Sequence, residues 1–314
     1  MSTQFNVCSY NMSSDERDYK LAIDHLYPKG INEDQIPLRY EVAQEEVDKR
    51  LREEADVFLL QEFQQNIFND QGPPKYTVDR PLINSLMNKK FIFIQHHFND
   101  SGDNILCTTD AAIALNSNRF QLIQNLSISD NCAIALTTDK VTQERILFVS
   151  AHFRGFDLTK SAIELTREYQ RNGGPRSGDD EVETVLKKLL SHENQCNLQI
   201  IGADMNCNPE RWYNRFYKFV DRGFTTHRTG NPTALNSKDK EFQEREIDFL
   251  FSKHIRRDQL SLEQRLFSSS ITKYVVEKKI LKEFEEWDIE KNPSDHKPIC
   301  FTVIPKKSFF KRLF

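Results

Sequence analysis

The stretch LQIIGADMNCNP, residues 198–209, decides the reading of this chain. A short apolar run, Leu198 to Ile201, meets Gly202 and passes at once into Asp204 and Asn206. Its brevity, its β-branched content and the turn residues that close it mark a strand ending in a polar cluster. Strand alternation puts Asp204 and Asn206 on one face, and Gly202 allows another backbone to come close. An aspartate so placed can take a proton from water while a neighbouring amide positions an oxyanion. The bland alternative is an Asx-turn that merely closes a strand.

Working outward, the same pattern recurs at other strand ends, where functional groups gather on loops. Upstream, ILFVSAHF (146–153) ends an apolar strand on His152, and VFLLQEF (57–63) runs into Gln61 and Glu62. FNVCSYNM (5–12) closes on Asn11, whose amide is a donor type that hard cations accept. A carboxylate beside so apolar a strand as 57–60 is costly without a cation, which makes Glu62 a magnesium-ligand candidate. Downstream, EIDFLFS (246–252) puts Asp248 inside an apolar strand, and SDHKPIC (294–300) sets Asp295 and His296 just before the last one. A buried aspartate against a histidine fixes its tautomer and raises its basicity.

Strand-like segments are also expected at 91–97, 111–115 and 299–304. Amphipathic helices are expected at 38–54, with Leu38, Val42, Val47 and Leu51 inward, and at 180–190, with Val182, Val185, Leu186 and Leu189 inward. Residues 173–178 read as a loop. No glycine-rich phosphate loop separates strand from helix, which argues against a dinucleotide-binding or P-loop fold. The expectation is α/β, with two stacked sheets flanked by helices in a single domain over 1–305. A basic amphipathic tail follows at 306–314. It carries Lys306, Lys307, Lys311 and Arg312 among Phe309, Phe310, Leu313 and Phe314, and suits either packing on the body or peripheral contact with a membrane.

Bulk composition narrows the classes. The 314 residues include 23 Phe and 10 Gly, an aromatic excess that reads as core filling, and the net charge of −4 supplies no global basic field. A nucleic acid would therefore have to be held in a local groove. The cysteines form no CxxC pair and the N-terminus lacks the apolar core of a signal peptide, so free thiols in the cytoplasm are expected, with secretion without a cleaved signal as the alternative. A monomer is expected.

Taken together, the ordered set of Asn11, Gln61–Glu62, His152, Gly202–Asp204–Asn206, Asp248 and Ser294–Asp295–His296 resembles the endonuclease/exonuclease/phosphatase superfamily, over nearly the whole chain. That resemblance implies a four-layered α/β sandwich of two mainly antiparallel sheets, with the site at one edge. It implies a Mg2+-dependent phosphoesterase, with Mn2+ as a substitute, in which Asn11, Glu62 and Asp295 hold metal. Asp204 and Asn206 would orient or activate water, and His296, oriented by Asp248, would sit on the phosphate. His152 matches the second histidine of the deoxyribonuclease-like branch, and Asp110, in TTDAAIAL, stands where its acidic partner belongs. Either Asp204 or His296 would be the general base.

The substrate is less legible. A nuclease on DNA or RNA is preferred, with Arg154, Arg171, Arg176 and Arg228 placed to grip phosphates. A phosphoinositide phosphatase or a sphingomyelinase-like lipid phosphoesterase comes second. The WCDR-type string of the inositol 5-phosphatases is missing, and EREIDFLF stands in its place. Cys207 and Asn208 replace the Tyr-Arg that follows the asparagine in that branch. An inactive binding module comes third. Residues 13–37 and 225–237 are the candidate substrate-gating and specificity segments.

Overall fold

The structure, a computed structural model, describes residues 2–11, 55–62, 90–95, 111–129, 131–153, 178–206, 213–236, 243–256, 259–260, 271–281 and 296–307. Two six-stranded sheets pack face to face. The first holds, from edge to edge, β13 (Ile271–Lys279), β14 (Ile299–Lys307), β1 (Phe5–Asn11), β2 (Val57–Gln61), β4 (Ala111–Asn116) and β3 (Phe91–Ile94). The second holds β5 (Phe120–Asn125), β6 (Cys132–Asp139), β7 (Arg145–His152), β8 (Leu198–Asp204), β12 (Asp248–His254) and β9 (Thr225–His227). A small ribbon, β10 (Ala234–Asn236) with β11 (Gln243–Arg245), stands apart. Within the two sheets β1–β2 and β7–β8 run parallel, and the other pairs are antiparallel, as the sequence led us to expect.

The central strands are buried on both sides, which explains why they read as nearly continuous apolar runs. Phe5, Val7, Val57, Leu59, Ile146, Phe148, Leu198 and Ile200 interleave between the sheets. The other face of the second sheet carries Val149, Ala151, Ile201, Ala203, Phe249 and Phe251. Onto it pack α1 (Gly178–Ser191), through Val182, Val185, Leu186 and Leu189, and α2 (Tyr213–Asp221), through Phe216 and Phe219. α1 is the helix expected at 180–190, with the same inward residues. The other face of the first sheet holds Cys8, Tyr10, Phe58, Leu60, Ala112 and Ala114. The helix expected at 38–54 lies outside the described residues.

Each inward-facing column changes character along its strand. β1 reads Val7, Ser9, Asn11; β7 reads Phe148, Ser150, His152; β8 reads Ile200, Gly202, Asp204. Apolar filling therefore gives way to small or polar residues, and those give way to the candidate site. Gly202 is needed at that level. A Cβ there would stand 2.6 Å from Ser9 Oγ and 2.7 Å from Leu59 Cδ1, so the sheets approach more closely than any side chain permits.

Several expectations are corrected. Cys8 and Cys300, directly opposed in the β1–β14 register, are disulfide-bonded rather than free. The reason is non-local: antiparallel pairing of β1 with β14 makes neighbours of residues 292 apart. Cys132 and Cys196 are free and buried. β14 continues through Lys307, so the first two residues assigned to the tail belong to the sheet. Asp248 is the first residue of β12 rather than an interior one. Residues 225–237 are partly strand, being β9 and β10 with the turn between them. β3 ends at Ile94, short of the expected 91–97.

Candidate active site

Strand register assembles the site. Asp204 at the end of β8 lies opposite His152 at the end of β7 and opposite Asp248 at the start of β12. Asn11 ends β1 beside Gln61 on β2, and Glu62 follows immediately. His296 precedes β14 and is held to β10 by a bridge with Ala234, reinforced by Lys297 N–H donating to Thr233 O. Asn11, His152, Asp204, Asp248 and His296 are all at most 5% exposed.

One carboxylate sits at the centre. Asp204 Oδ2 accepts from Asn11 Nδ2 at 2.9 Å and lies 3.6 Å from His152 Nε2 and 3.8 Å from His296 Nε2. The same Asn11 nitrogen donates to Glu62 Oε1 at 3.0 Å, and Glu62 Oε1 lies 3.7 Å from His152 Nε2. His296 Nδ1 is 2.9 Å from Asp248 Oδ2. With Nδ1 held by that carboxylate, the ring turns Nε2 toward Asp204 and Asn11. Asn206 Nδ2 lies 2.8 Å from His152 Nε2.

Asn206 reaches this position by a route other than strand alternation. β8 stops at Asp204, and Asn206 adopts φ 45°, a left-handed conformation that asparagine tolerates. Its backbone N–H donates to Asp204 Oδ1 at 2.7 Å. That is the Asx-turn offered above as the bland alternative, and it is also what brings the Asn206 amide beside His152. Glu62 is left-handed too, at φ 50°.

Burial, with Asp248 adding to it, pushes the Asp204 carboxyl above the ordinary carboxylate range, while His296, His152 and the Asn206 N–H pull the other way. No lysine or arginine among the described residues pairs with Asp204, Asp248 or Glu62. Asp248 Oδ1 is buried without a partner among the described residues. Glu62, His152 and Asp204 each offer a ligand atom within 4.8 Å of the others, as do Asp204, Asp248 and His296. Mostly hard donors in a crowded negative site are the chemistry that suits a divalent cation.

Among the residues expected at the site, Asn11, Glu62, His152, Asp204, Asn206, Asp248 and His296 come together. Asp110 and Asp295 lie outside the described residues, as do Arg154, Arg171 and Arg176. Arg228 is engaged structurally. Its Nε and Nη2 donate to Glu246 Oε2 at 2.8 and 2.6 Å, and the other Glu246 oxygen accepts the Thr229 and Gly230 N–H groups. Sequence reasoning missed Thr233, whose buried hydroxyl accepts the Ile247 and Asp248 N–H groups, both at 3.0 Å, and so sets the Asp248 backbone. A threonine within a turn carries no signal of that role.

No protein-family model and no curated protein matches the chain. Solved structures do. An endonuclease/exonuclease/phosphatase family protein from Bacteroides thetaiotaomicron aligns over 98% of this chain and 99% of its own, with TM-score 0.55 and 15% identity. The mannosyl-6-phosphatase Bt3783 of the same organism aligns over 96% and 99%, with TM-score 0.52 and 14% identity. TDP2 from D. rerio, complexed with a single-strand DNA product, aligns over 96% and 99%, with TM-score 0.50 and 13% identity. Likeness at such identities speaks to architecture, and the architecture of this chain is the endonuclease/exonuclease/phosphatase fold.

Proposed function

We propose that the chain is a divalent-metal-dependent phosphoesterase of the endonuclease/exonuclease/phosphatase superfamily, acting on phosphodiesters of DNA or RNA. The observation that carries this reading is Asp204, a buried carboxylate flanked by two histidines and an asparagine amide, with no lysine or arginine paired to it among the described residues. Glu62 would hold Mg2+ beside Asn11, whose amide nitrogen donates to the Glu62 carboxylate. The bound ion supplies charge neutralisation at the phosphoryl oxygens and leaving group.

The residues of the chain do the rest. Asp204 takes the proton of the attacking water, helped by a basicity that burial has raised. As the water oxygen bonds to phosphorus, the bond to the leaving oxygen opens, and that oxygen takes its proton from solvent water. His296, its Nδ1 held by Asp248, would meet a developing phosphorane oxygen through Nε2–H when its ring is protonated. His152 and Asn206, on the other flank of Asp204, orient a second phosphoryl oxygen.

Nucleic acid is preferred because two histidines flank Asp204, the pattern by which the sequence resembles the deoxyribonuclease-like branch. A substrate panel with Mg2+ tests the reading: single- and double-stranded DNA, RNA, phosphoinositides, sphingomyelin and sugar phosphates. Turnover on nucleic acid that EDTA abolishes is expected. Turnover confined to the lipid or sugar phosphates would overturn the substrate, and no turnover on any of them would overturn the reaction.

A further inference from the structure

Beneath the site lies a buried polar layer that the mechanism does not use. Gln61, the last residue of β2, is fully buried between the sheets. Its Nε2 lies 3.0 Å from Ser150 Oγ on β7 and 3.4 Å from Gly202 O on β8, both in the opposite sheet. Within its own sheet it lies 3.2 Å from Ser9 Oγ and 3.1 Å from Leu59 O. Ser150 Oγ donates in turn to Leu60 O at 2.7 Å, which leaves its lone pairs for the Gln61 amide. Two hydrogen bonds therefore cross between β2 and Ser150, at the level where the sheets leave no room for a Cβ on Gly202.

The next residue is Glu62, with its left-handed backbone. A non-glycine residue adopts that conformation at a cost, so something must hold it there. The Gln61 side chain is fastened inward, the chain turns at Glu62, and the Glu62 carboxylate lies against Asn11 and His152.

We propose that Gln61 is a positioning residue: its amide clasps the two sheets under the site and holds the Glu62 carboxylate where the cation is captured. The inference rests on the metal-dependent reading above. Gln61 touches neither substrate nor the reacting atoms. An apolar residue of the same length would fill the space but would release the end of β2 from Ser150.

Isothermal titration with Mg2+ tests the clasp directly, on wild type, Gln61→Met, Ser150→Ala and the core variant Ile146→Val. Outer partners that orient a metal ligand are worth about 10–100-fold in affinity, and Gln61→Met is expected to weaken Mg2+ binding by that factor. Ser150→Ala should weaken it several-fold. Ile146→Val, in the same inter-sheet core but at the other end of β7, should lower the melting temperature and leave Mg2+ affinity unchanged. In steady state, Gln61→Met should need more Mg2+ for half-maximal rate while kcat at saturating Mg2+ stays within a few-fold of wild type. Wild-type affinity in Gln61→Met would overturn the proposal. If that variant does not fold, unchanged affinity in Ser150→Ala would overturn it. Absence of Mg2+ binding by wild type would instead sink the metal-dependent reading, and the clasp with it.

Discussion

The two ends of the sandwich treat a buried carboxylate in opposite ways. At the end away from the site, Asp139 is fully buried, and Arg119 Nη2 meets it at 3.2 Å while Thr142 Oγ1 and Val141 N–H donate to it at 3.0 Å. The Arg119 guanidinium also donates to the Ser2, Thr3 and Gln4 carbonyls and lies over the Phe5 and Phe120 rings. Phe5, Phe120 and Phe148 close that end with edge-to-face contacts. At the other end Asp204 and Asp248 are just as deep, yet among the described residues they face histidines, amides, N–H groups and each other, and no lysine or arginine. A buried charge is tolerable when neutralised and expensive when not. Two burials of the same group therefore teach different things. The Arg119 end is complete as folded, whereas the Asp204 end has the composition of a site that gains when a cation arrives.

That contrast can be broken at either end. Arg119→Met should be the most damaging change to stability, since removing one partner of a buried pair costs about 3–5 kcal/mol. Urea unfolding reads this loss, and the activity of the fraction that remains folded should be unchanged. Next, His296→Ala should lower kcat by about 10²–10³, equivalent to ~2.7–4 kcal/mol of barrier, without a comparable fall in melting temperature. Wild-type turnover in that variant would remove His296 from the chemistry. Third, Mg2+ at a hundred times its Kd should stabilise the protein by about 2.7 kcal/mol. Arg119→Met should keep that gain and Glu62→Gln should lose it, as thermal melts with and without EDTA would show.

The smallest effect concerns pH. The folded-state pKa of Asp204 is raised, so its contribution to stability is fully present below the unfolded-chain pKa and lost as pH climbs through the raised one. Asp204→Asn should therefore raise the melting temperature of metal-free protein at pH 8, by ~2–4 °C for each kcal/mol relieved. The gain should vanish below about pH 4, where the carboxyl is protonated in both folded and unfolded chains. A melting temperature that falls at pH 8 would mean that the accepting bonds to Asn11 and Asn206 outweigh the charge penalty.

Much of the site was legible because it follows a local rule. Apolar strands ending in Asn11, Gln61–Glu62, His152 and Asp204 stand out against what precedes them, and His296 announces itself just ahead of the last strand. The polar layer was legible in principle, since Ser9, Ser150 and Gly202 each stand two positions before a site residue. Edge strands were harder. β5 is largely exposed, with a register shift between Leu122 and Gln124, so it lacks the apolar alternation that marks the central strands. β13 is likewise an edge, and its run ITKYVVEKK mixes charge with β-branched residues.

By itself, the sequence singled out side chains that could do chemistry and put Asn11, Gln61–Glu62, His152 and Asp204 where apolar strands close, because period-two burial is written in neighbouring residues. Tertiary structure alone decided which of them meet. Asp248 faces Asp204 through antiparallel register, Gln61 reaches Ser150 across the gap between sheets, and Cys8 meets Cys300 because β1 and β14 pair. Such contacts join residues that chain order keeps far apart. Only the packing of two sheets over a common apolar core brings them within bonding distance.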